Sequence, residues 1–412
     1  MRSDIQPVFV TVEGREMVVF MDPLRMADEG FAVDRRALSV LAMMDGTRDL
    51  LDIQAELMRV SGGSIVPMEH IEAFLERLDE ALLLDSRRFR DRRRAVEEEF
   101  LRAGIRRTIL DGRSYEADPE ALAASIEELE RSLPPLPAGT KDGISGVVAP
   151  HIDLKVAFRT YVDVYRRLRD ASFDTVVVLG VNHYGSDGLY CLTEKDFETP
   201  FGVLKTHREI VRRLSRGMPP GGVAPTDLDH KSEHSIEFQA LFIAYYLGVS
   251  RTRIVPVLCG SFHEFVRSGR DPAEDPRFIA FRDALCEVVS ADPGRVLVVA
   301  GVDFSHVGLK FGHDQRADRL LDKAMEHDRA LLGCLMEGDA SGLFGRAASC
   351  RDAYNVCGLP ALVLMSSVLG KRGCELVAHE VYDERVTGSA VTYAALAFSG
   401  ARDTAQRVGE SG

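Results

Sequence analysis

The sequence lacks the short motifs that mark several common enzyme and metal-binding classes. Its seven cysteines form an odd set without a CxxC pair, which is unlike a disulfide scaffold or a zinc finger. GxSxG, GxGxxG, Walker-type and HExxH sequences are also absent, so the common serine hydrolases, dinucleotide-binding enzymes, P-loop proteins and zinc proteases are not indicated. We expect most of the cysteines to be reduced and inert.

The chain also lacks long apolar runs and an excess of positive charge. No stretch approaches the roughly 18–20 apolar residues of a membrane span, and residues 1–14 contain no apolar export segment. The formal charge of −13 disfavours general binding to nucleic acid or anionic membranes. We predict a cytoplasmic protein that binds neither. Its 412 residues, 45% of them hydrophobic, suffice for a buried core and two domains.

Residues 1–86 predict a small α+β domain. Two apolar β segments within residues 7–20 flank a turn and predict a β-hairpin. Helical periodicity follows from Asp34 to Asp45, with Thr47 as the expected N-cap of a second helix, and a third helix is expected after Pro67. Three short helices beside β segments indicate a winged-helix-like unit.

A signature in this region resembles the PqqD-like winged-helix domains. A helix stops at Met44-Asp45-Gly46-Thr47, and a later one carries Phe74, Leu75 and Leu78 and runs into residues 81–84. PqqD-like domains are small peptide-recognition modules found beside radical-enzyme systems. The resemblance implies that residues 1–86 bind a peptide or a radical SAM protein. A generic three-helix packing module is the alternative.

Residues 87–102 are predicted to form a charged helical linker. Six arginines lie within residues 87–94 and three glutamates follow, a pattern more typical of a solvated helix than of a nucleic-acid patch. Another helix is predicted over residues 121–133, before a stiff proline segment that leads into the main domain. Residues 401–412 are assigned to a C-terminal tail.

Residues 103–400 alternate apolar β runs with helical segments. Strands are predicted at residues 146–149, 175–179, 254–258, 295–300, 375–381 and 390–398. Helices at 158–168 and 233–247 separate some of them. Runs that are apolar on both faces predict an α/β fold with a mostly parallel or mixed sheet covered by helices.

Three of the predicted strands are followed by a histidine. These residues are His151, His183 and His306. Ligands of open α/β sheets bind beyond the carboxyl ends of the strands, so one convergent site is the economical explanation. A single strand-end histidine is more often a structural residue, but the set together favours a site.

Two further segments supply candidates for the same site. His234 and Glu237 share a face at the start of a predicted helix. Cys357 precedes another helix, whose dipole makes it the most plausible thiolate among the cysteines. Neutral imidazoles with a thiolate predict a site for iron, copper or zinc, with positions left for water, oxygen or substrate.

Six motifs occur in the order characteristic of the Memo family, which includes protein B of the AmmeMemoRadiSam system. They are Pro150-His151, Gly180-x-x-His183, Thr199-Pro200-x-Gly202, Glu233-His234-Ser235-Ile236-Glu237, Asp303-Phe304-Ser305-His306-x-Gly308 and Cys357-Gly358. Residues 111–115, followed by Asp118-Pro119, look like the family's opening. The resemblance runs from about residue 103 to about residue 400.

The resemblance implies a fold similar to the LigB-type class III extradiol dioxygenases, which hold non-haem iron with two histidines and a carboxylate. In the Memo family a cysteine replaces the carboxylate, and the matching ligands here are His151, His183 and Cys357. Asp303 and His306 match a second pair in the pocket. We expect His306 to act as an acid or base, or to support a ligand, and Asp303 to fix its tautomer. Ferrous iron is the expected cofactor, with copper or zinc as alternatives.

The match departs from the family pattern at two motifs. Pro-His-Ala-Gly-Tyr is more usual where this chain has residues 150–154, so Asp153 is expected to alter the charge of the pocket or to contact the metal. Pro-Ser-His-His is more usual where it has Gly180-Val181-Asn182-His183. These changes bear on substrate identity more than on metal binding.

Three functions are compatible with these residues. The first is an iron or copper oxidoreductase with a radical SAM-type partner system, whose polar pocket holds an unknown small-molecule substrate beside His234, Glu237, Asp303 and His306. The second is a metal-binding adaptor that presents a peptide or protein through residues 1–86. The third is a zinc-dependent hydrolase. The soft, cysteine-containing site favours the redox function over the hydrolase.

Overall fold

The structure of the protein is a computed structural model that describes residues 1–400, except 3, 13, 23–25, 28–30, 138–142, 184, 186–187 and 293. The predicted tail, residues 401–412, lies outside the described residues. The chain divides into two compact units, Met1–Arg102 and Ala103–Gly412. The charged helix Arg87–Arg102 is therefore part of the first unit.

The first unit combines a small antiparallel sheet with short helices. Its described elements are β1 (Gln6–Val12), β2 (Arg15–Met21), β3 (Ala32–Asp34), α1 (Leu38–Leu41), α2 (Leu50–Val60), α3 (Met68–Glu80) and α4 (Arg87–Arg102). The strand order is β1-β2-β3, and β1 pairs with β2 from Gln6 opposite Met21 to Val12 opposite Arg15. The predicted hairpin is thus confirmed. Val18 of β2, Leu78 of α3 and Leu83 are fully buried in the core of this unit.

The N-cap of α2 differs from the sequence-based prediction, which placed it at Thr47. Asp49 is the cap: its carboxylate accepts hydrogen bonds from the backbone N–H groups of Leu51 and Asp52 at 2.9 and 3.0 Å. Asp52 in turn accepts from the backbone N–H of Asp49 at 3.1 Å, which completes a capping box. A carboxylate is favoured here by the positive end of the helix dipole. The Thr47 hydroxyl instead donates to Asp45 at 2.6 Å within the preceding turn.

Among the described residues, eleven strands of the second unit form one sheet. They are β4 (Ile105–Arg106), β5 (Ile144–Ala149), β6 (Thr175–Val181), β7 (Tyr190–Leu192), β8 (Asp196–Thr199), β9 (Gly202–Thr206), β10 (Arg253–Cys259), β11 (Val296–Gly301), β12 (His306–Gly308), β13 (Cys374–Glu384) and β14 (Ser389–Ser399). The order is β12-β14-β5-β11-β6-β10-β9-β8-β4, with β13 paired to β14 and β7 to β10. Strands β5, β11, β6 and β10 run parallel, whereas β14 is antiparallel to β5. The predicted mixed, mostly parallel sheet is confirmed.

Helices cover both faces of this sheet. They are α5 (Pro119–Ser132), α6 (Leu154–Tyr165), α7 (Arg208–Ser215), α8 (Ser235–Leu247), α9 (His263–Ser268), α10 (Pro276–Ala291), α11 (Leu321–Glu337), α12 (Ala340–Ser349) and α13 (Leu359–Leu369). Val177 and Leu179 of β6 pack into one core with α10 and α13, and Val176 and Val178 into another with α6 and α8. Strand side chains alternate between the two faces, so a strand covered on both is apolar throughout. Of the helices described, none is long and apolar enough to cross a membrane.

A buried ion pair ties β4 to α8. The side chains of Arg106 and Glu237 are 1% and 2% exposed and contact each other directly. Glu237 also accepts hydrogen bonds from the Tyr115 hydroxyl at 2.7 Å and from the backbone N–H groups of Ile109 and Leu110, both at 3.0 Å. Burial alone would raise the pKa of Glu237, but Arg106 and these donors hold it below its ordinary value. Arg106 also donates to the backbone carbonyl oxygens of Arg107, His230 and Glu233, so both buried charges have hydrogen-bond partners.

We predict that Glu237→Ala lowers the free energy of unfolding by about 3–5 kcal/mol, because it leaves the Arg106 guanidinium buried without its counter-charge. Urea denaturation measures the loss. The matched control is Glu198→Ala, which removes the partner of the 72%-exposed Arg107 and should cost no more than about 1 kcal/mol. Equal losses in the two variants would contradict the prediction.

Candidate metal centre

The sheet order brings three strand ends together. Strands β5, β11 and β6 are neighbours and parallel, and the residue two positions beyond each is His151, Asp303 and His183, respectively. The rings of the two histidines are 4.9 Å apart between centroids. Cys357 reaches the same place from the segment before α13. Placement beyond the carboxyl ends of adjacent parallel strands follows the general rule for open α/β sheets.

The three predicted metal ligands converge in the structure. His151, His183 and Cys357 each offer one ligand atom, and these atoms all lie within 4.8 Å of one another. The Cys357 Sγ is 3.6 Å from the His151 Nε2. Two imidazole nitrogens and one sulfur are donors that suit iron, copper or zinc, and three protein ligands leave coordination positions open. The predicted grouping of these residues is confirmed.

Hydrogen bonds fix the tautomers of the two histidines. The His151 Nδ1 is 3.0 Å from the carbonyl oxygen of Gly301, and the His183 Nδ1 is 2.9 Å from the Glu233 Oε2. A carbonyl and a carboxylate only accept hydrogen bonds, so each Nδ1 carries the hydrogen and donates it. In the neutral form of each ring, Nε2 is therefore the nitrogen that can bind a metal ion.

Glu233 holds His183 in place and was missed by the sequence analysis. Its Oε2 accepts from both the ring Nδ1–H and the backbone N–H of His183, and its Oε1 accepts from the backbone N–H groups of His234 and Ser235. Burial alone would raise the pKa of Glu233, but His183, His234 and these donors hold it well below its ordinary value. The available signal was its place in the motif of residues 233–237, directly before His234.

The imidazoles of this centre are electrostatically suited to a cation. Burial lowers the pKa of His151 to about 3 and that of His234 to about 4, so both rings are neutral at neutral pH. Burial acts on His183 in the same direction, but the charge and hydrogen bond of Glu233 outweigh it and raise the pKa. A positive charge close to Glu233 is therefore already favoured at this position.

The prediction that Cys357 is a thiolate is wrong for the protein when no cation is bound beside it. Burial raises the pKa of the Cys357 thiol well above its ordinary value, and the nearby Asp303 adds to the effect. Helix α13 begins at Leu359 with Gly358 as its N-cap, so the cysteine lies before the cap rather than in the first turn. A coordinated metal ion supplies the positive charge that deprotonates such a thiol.

Asp303 and His306 border the triad, but their contacts differ from those expected. Asp303 Oδ1 accepts from the backbone N–H groups of His151 and Ile152 at 3.0 and 3.2 Å, and its Oδ2 is 3.6 Å from the His151 Nε2. The His306 Nδ1 is 3.0 Å from the carbonyl oxygen of Phe304. A backbone carbonyl, not Asp303, therefore fixes the His306 tautomer and leaves its Nε2 as the basic atom. Burial lowers the pKa of His306 and raises that of Asp303.

His234 lies beside the triad in a second group of potential ligands. Its ring stacks on that of His183 at 5.3 Å, and the ligand atoms of His183, Glu233 and His234 also lie within 4.8 Å of one another. The Glu233 oxygens, however, already accept hydrogen bonds from His183 and from two backbone N–H groups of α8 and its N-cap. The triad with Cys357 is the better metal site because it leaves Glu233 to these hydrogen bonds and adds a sulfur ligand to the two imidazoles.

Glu237 and Asp153 do not serve the centre as predicted. The expectation that Glu237 lines the polar pocket is wrong, because its carboxylate is enclosed by Arg106 and the segment after β4. Asp153 is the N-cap of α6, where it accepts from the Lys155 backbone N–H at 2.8 Å and the Ser114 hydroxyl at 2.7 Å. A helix-capping role replaces the expected metal contact.

The segment before Cys357 is held in an unusual backbone conformation. Arg351, Asp352 and Asn355 have φ values of 55°, 50° and 51°, in the left-handed region that non-glycine residues seldom adopt. The Asn355 side-chain amide donates to the carbonyl oxygens of His306 and Phe311, both at 3.2 Å. These bonds tie the segment that presents Cys357 to β12, which begins at His306.

We predict that Glu233→Gln weakens metal binding by about 10–100-fold, because an amide cannot accept from all the donors that hold His183. Competition titration against a chelator measures the affinity. Glu237→Gln, a change at an equally buried glutamate nearby, is the matched control and should leave the affinity of the folded protein unchanged. An unaltered affinity in Glu233→Gln, or equal losses in both variants, would contradict the prediction.

Comparison with known proteins identifies the family of the second unit. A family model described as Memo-like protein matches residues 106–397. A MEMO1 family protein of Aquifex aeolicus is 30% identical over 398 residues, which cover 96% of this chain and 98% of that protein. MEMO1 family proteins of Pyrococcus furiosus and Methanothermobacter thermautotrophicus are 29% and 28% identical, and each match covers 71% of this chain and 98% or 99% of theirs. The PqqD-like resemblance of residues 1–86 lies outside the family match and stays a prediction. The match over its second unit shows that this chain belongs to the MEMO1 family.

Proposed function

We propose that this protein is an oxidoreductase that holds one transition metal ion at His151, His183 and Cys357. Ferrous iron is the favoured metal, and copper or zinc are the alternatives. The observation that carries the proposal is the convergence of His151, His183 and Cys357, each of which offers one ligand atom within 4.8 Å of the others. This donor set fits a soft or borderline metal ion.

We favour redox chemistry over hydrolysis for this donor set. A thiolate stands where a typical hydrolytic zinc site has a carboxylate, and iron and copper are among the metals that imidazole and sulfur ligands hold. When bound at such a site, a redox-active ion supplies electron transfer and polarises a coordinated substrate. His151 is 3% exposed, so one wall of the centre is shielded from water.

The protein's own residues supply proton transfer and orientation. His306 is neutral, and with its Nδ1–H bound to Phe304 its Nε2 is available to take a proton from a substrate and return it. Asp303 orients the backbone at His151, and Glu233 orients the His183 ring. His234 is a second neutral imidazole beside His183.

A metal-binding adaptor is the second candidate function. The observation that favours it is the presence of a separate N-terminal unit, Met1–Arg102, before residues 106–397, which the family model matches. In this proposal residues 1–86 recognise a peptide or a radical SAM protein, and the partner carries out the chemistry. Both functions share the metal site and differ in where turnover occurs.

We predict that anaerobically iron-loaded protein contains close to one metal ion per chain and that His151→Ala, His183→Ala and Cys357→Ser each lose it. Elemental mass spectrometry measures the content, and circular dichroism checks that each variant is folded. Cys374→Ser, a change at a half-buried cysteine of β13, is the matched control and should keep the metal. A Cys357→Ser protein that keeps stoichiometric metal would contradict the assignment of Cys357 as a ligand.

We predict that the full chain retains a purified radical SAM protein from the source organism in a pulldown and that residues 103–412 alone do not. The second unit begins at Ala103 and contains residues 106–397, which the family model matches, so this truncation is reasonable. Equal retention by both forms would place the contact outside residues 1–86, and no retention by either would count against the partner proposal.

A further inference from the structure

Asp328 of α11 is a buried carboxylate that is not among the candidate metal ligands. The residue is fully buried. Its Oδ1 accepts a hydrogen bond from the Ser305 hydroxyl at 2.5 Å, and its Oδ2 is 3.4 Å from the Nε2 of His379 on β13. Because a buried carboxylate is costly unless polar groups surround it, these two contacts determine the direction of the side chain.

Ser305 connects this carboxylate to the candidate centre. It lies two residues after Asp303 and directly before His306, the two groups that border the metal triad. The serine is itself fully buried, so its hydroxyl needs a partner inside the protein. That partner is Asp328, and α11 is thereby tied to the segment that presents both pocket groups.

The peptide group between Phe304 and Ser305 fixes the tautomer of His306. Its N–H donates to the Thr392 Oγ1 of β14 at 2.7 Å. The N–H and C=O of a trans peptide point in opposite directions, so this bond turns the Phe304 carbonyl away from β14. The His306 Nδ1 lies 3.0 Å from that carbonyl oxygen and must carry the hydrogen, because a carbonyl only accepts.

The backbone of His306 is held on its other side as well. Its N–H donates to the Tyr354 carbonyl at 2.7 Å, and its own carbonyl accepts from the Asn355 side-chain amide at 3.2 Å. Hydrogen bonds from β14, from α11 and from the segment before Cys357 therefore hold one short stretch of chain. Such a set of bonds defines both the position and the tautomer of one imidazole.

We propose that Asp328 is a positioning residue for His306 and acts through Ser305. Turning the peptide between Phe304 and Ser305 changes the φ angle of Ser305 and so shifts its hydroxyl relative to Asp328. The carboxylate thus opposes any rotation that would withdraw the carbonyl from His306, and Nε2 stays the basic nitrogen of the neutral ring. The proposal rests on the proposed function in one respect: the ring that Asp328 positions is the one that transfers the proton.

The test follows the tautomer of His306 in the full chain, labelled with isotopic nitrogen at histidine. Long-range proton–nitrogen NMR correlation spectra distinguish a ring nitrogen that carries hydrogen from one that does not, and the His306→Gln variant identifies the signal. In the metal-free wild-type protein at slightly alkaline pH, the Nδ1–H form is expected to predominate. A ring that is mainly in the Nε2–H form would contradict the proposal.

Variants separate the role of Asp328 from a general loss of stability. Ser305→Ala removes the donor and Asp328→Leu the acceptor, and each is expected to lower the ratio of the Nδ1–H to the Nε2–H form at least about fivefold. Asp328→Asn keeps an acceptor oxygen and should stay within about twofold of the wild type. The matched control is Thr252→Val, which removes another buried hydroxyl, bonded to the Phe173 carbonyl directly before β10, and should leave the ratio unchanged.

The outcomes distinguish this proposal from the proposed function. An unchanged ratio in Ser305→Ala, or in a folded Asp328→Leu protein, would overturn the positioning role whether or not the protein binds metal. An equal fall in Thr252→Val or in Asp328→Asn would overturn it too, because the effect would then not come from the acceptor at residue 328. A ratio that depends on Asp328 in a protein that takes up no metal would support the positioning role and contradict the proposed oxidoreductase.

Discussion

The carboxylate of Glu233 is the interaction on which the candidate centre depends. One of its oxygens accepts from the His183 ring and backbone, and the other accepts from the backbone at His234 and Ser235. It thereby joins the end of β6 to the start of α8 and sets the His183 tautomer. A buried anion is costly unless it is fully paired, and here the amides and the imidazole make it stable. The same charge favours a cation at the neighbouring ligand atoms.

The sheet order supplies the rest of the geometry. Because β5, β11 and β6 lie side by side and in parallel, the residues two positions beyond each strand meet at one edge. Gly301 at the end of β11 provides the carbonyl that binds the His151 Nδ1, and Asp303 provides the carboxylate that binds the backbone at His151. Cys357 completes the triad from a segment with three left-handed residues, whose conformation is held by Asn355. The centre thus combines a rigid strand edge with one strained segment.

Much of this arrangement follows from local sequence pattern, and the remainder depends on distant partners. Strands such as β6 were predictable because a strand buried on both faces must be apolar throughout, and the strand-end histidines followed from that assignment. Glu237 was wrongly predicted to line the pocket, because its spacing from His234 gives no information about Arg106. Arg106 lies 131 residues away in sequence and binds the Glu237 carboxylate. Asp153 was misassigned because a carboxylate beside a ligand also suits a helix N-cap. In each case a long-range or capping hydrogen bond decided among roles that the residue type left open.

The most direct test of the central claim is X-ray absorption spectroscopy at the metal edge of the loaded full chain. If His151, His183 and Cys357 bind one ion, the spectrum should show imidazole nitrogen scattering together with one sulfur at about 2.3 Å. A wild-type spectrum with nitrogen and oxygen neighbours but no sulfur would contradict the assignment. Such a spectrum would instead favour metal binding by the group formed by His183, Glu233 and His234.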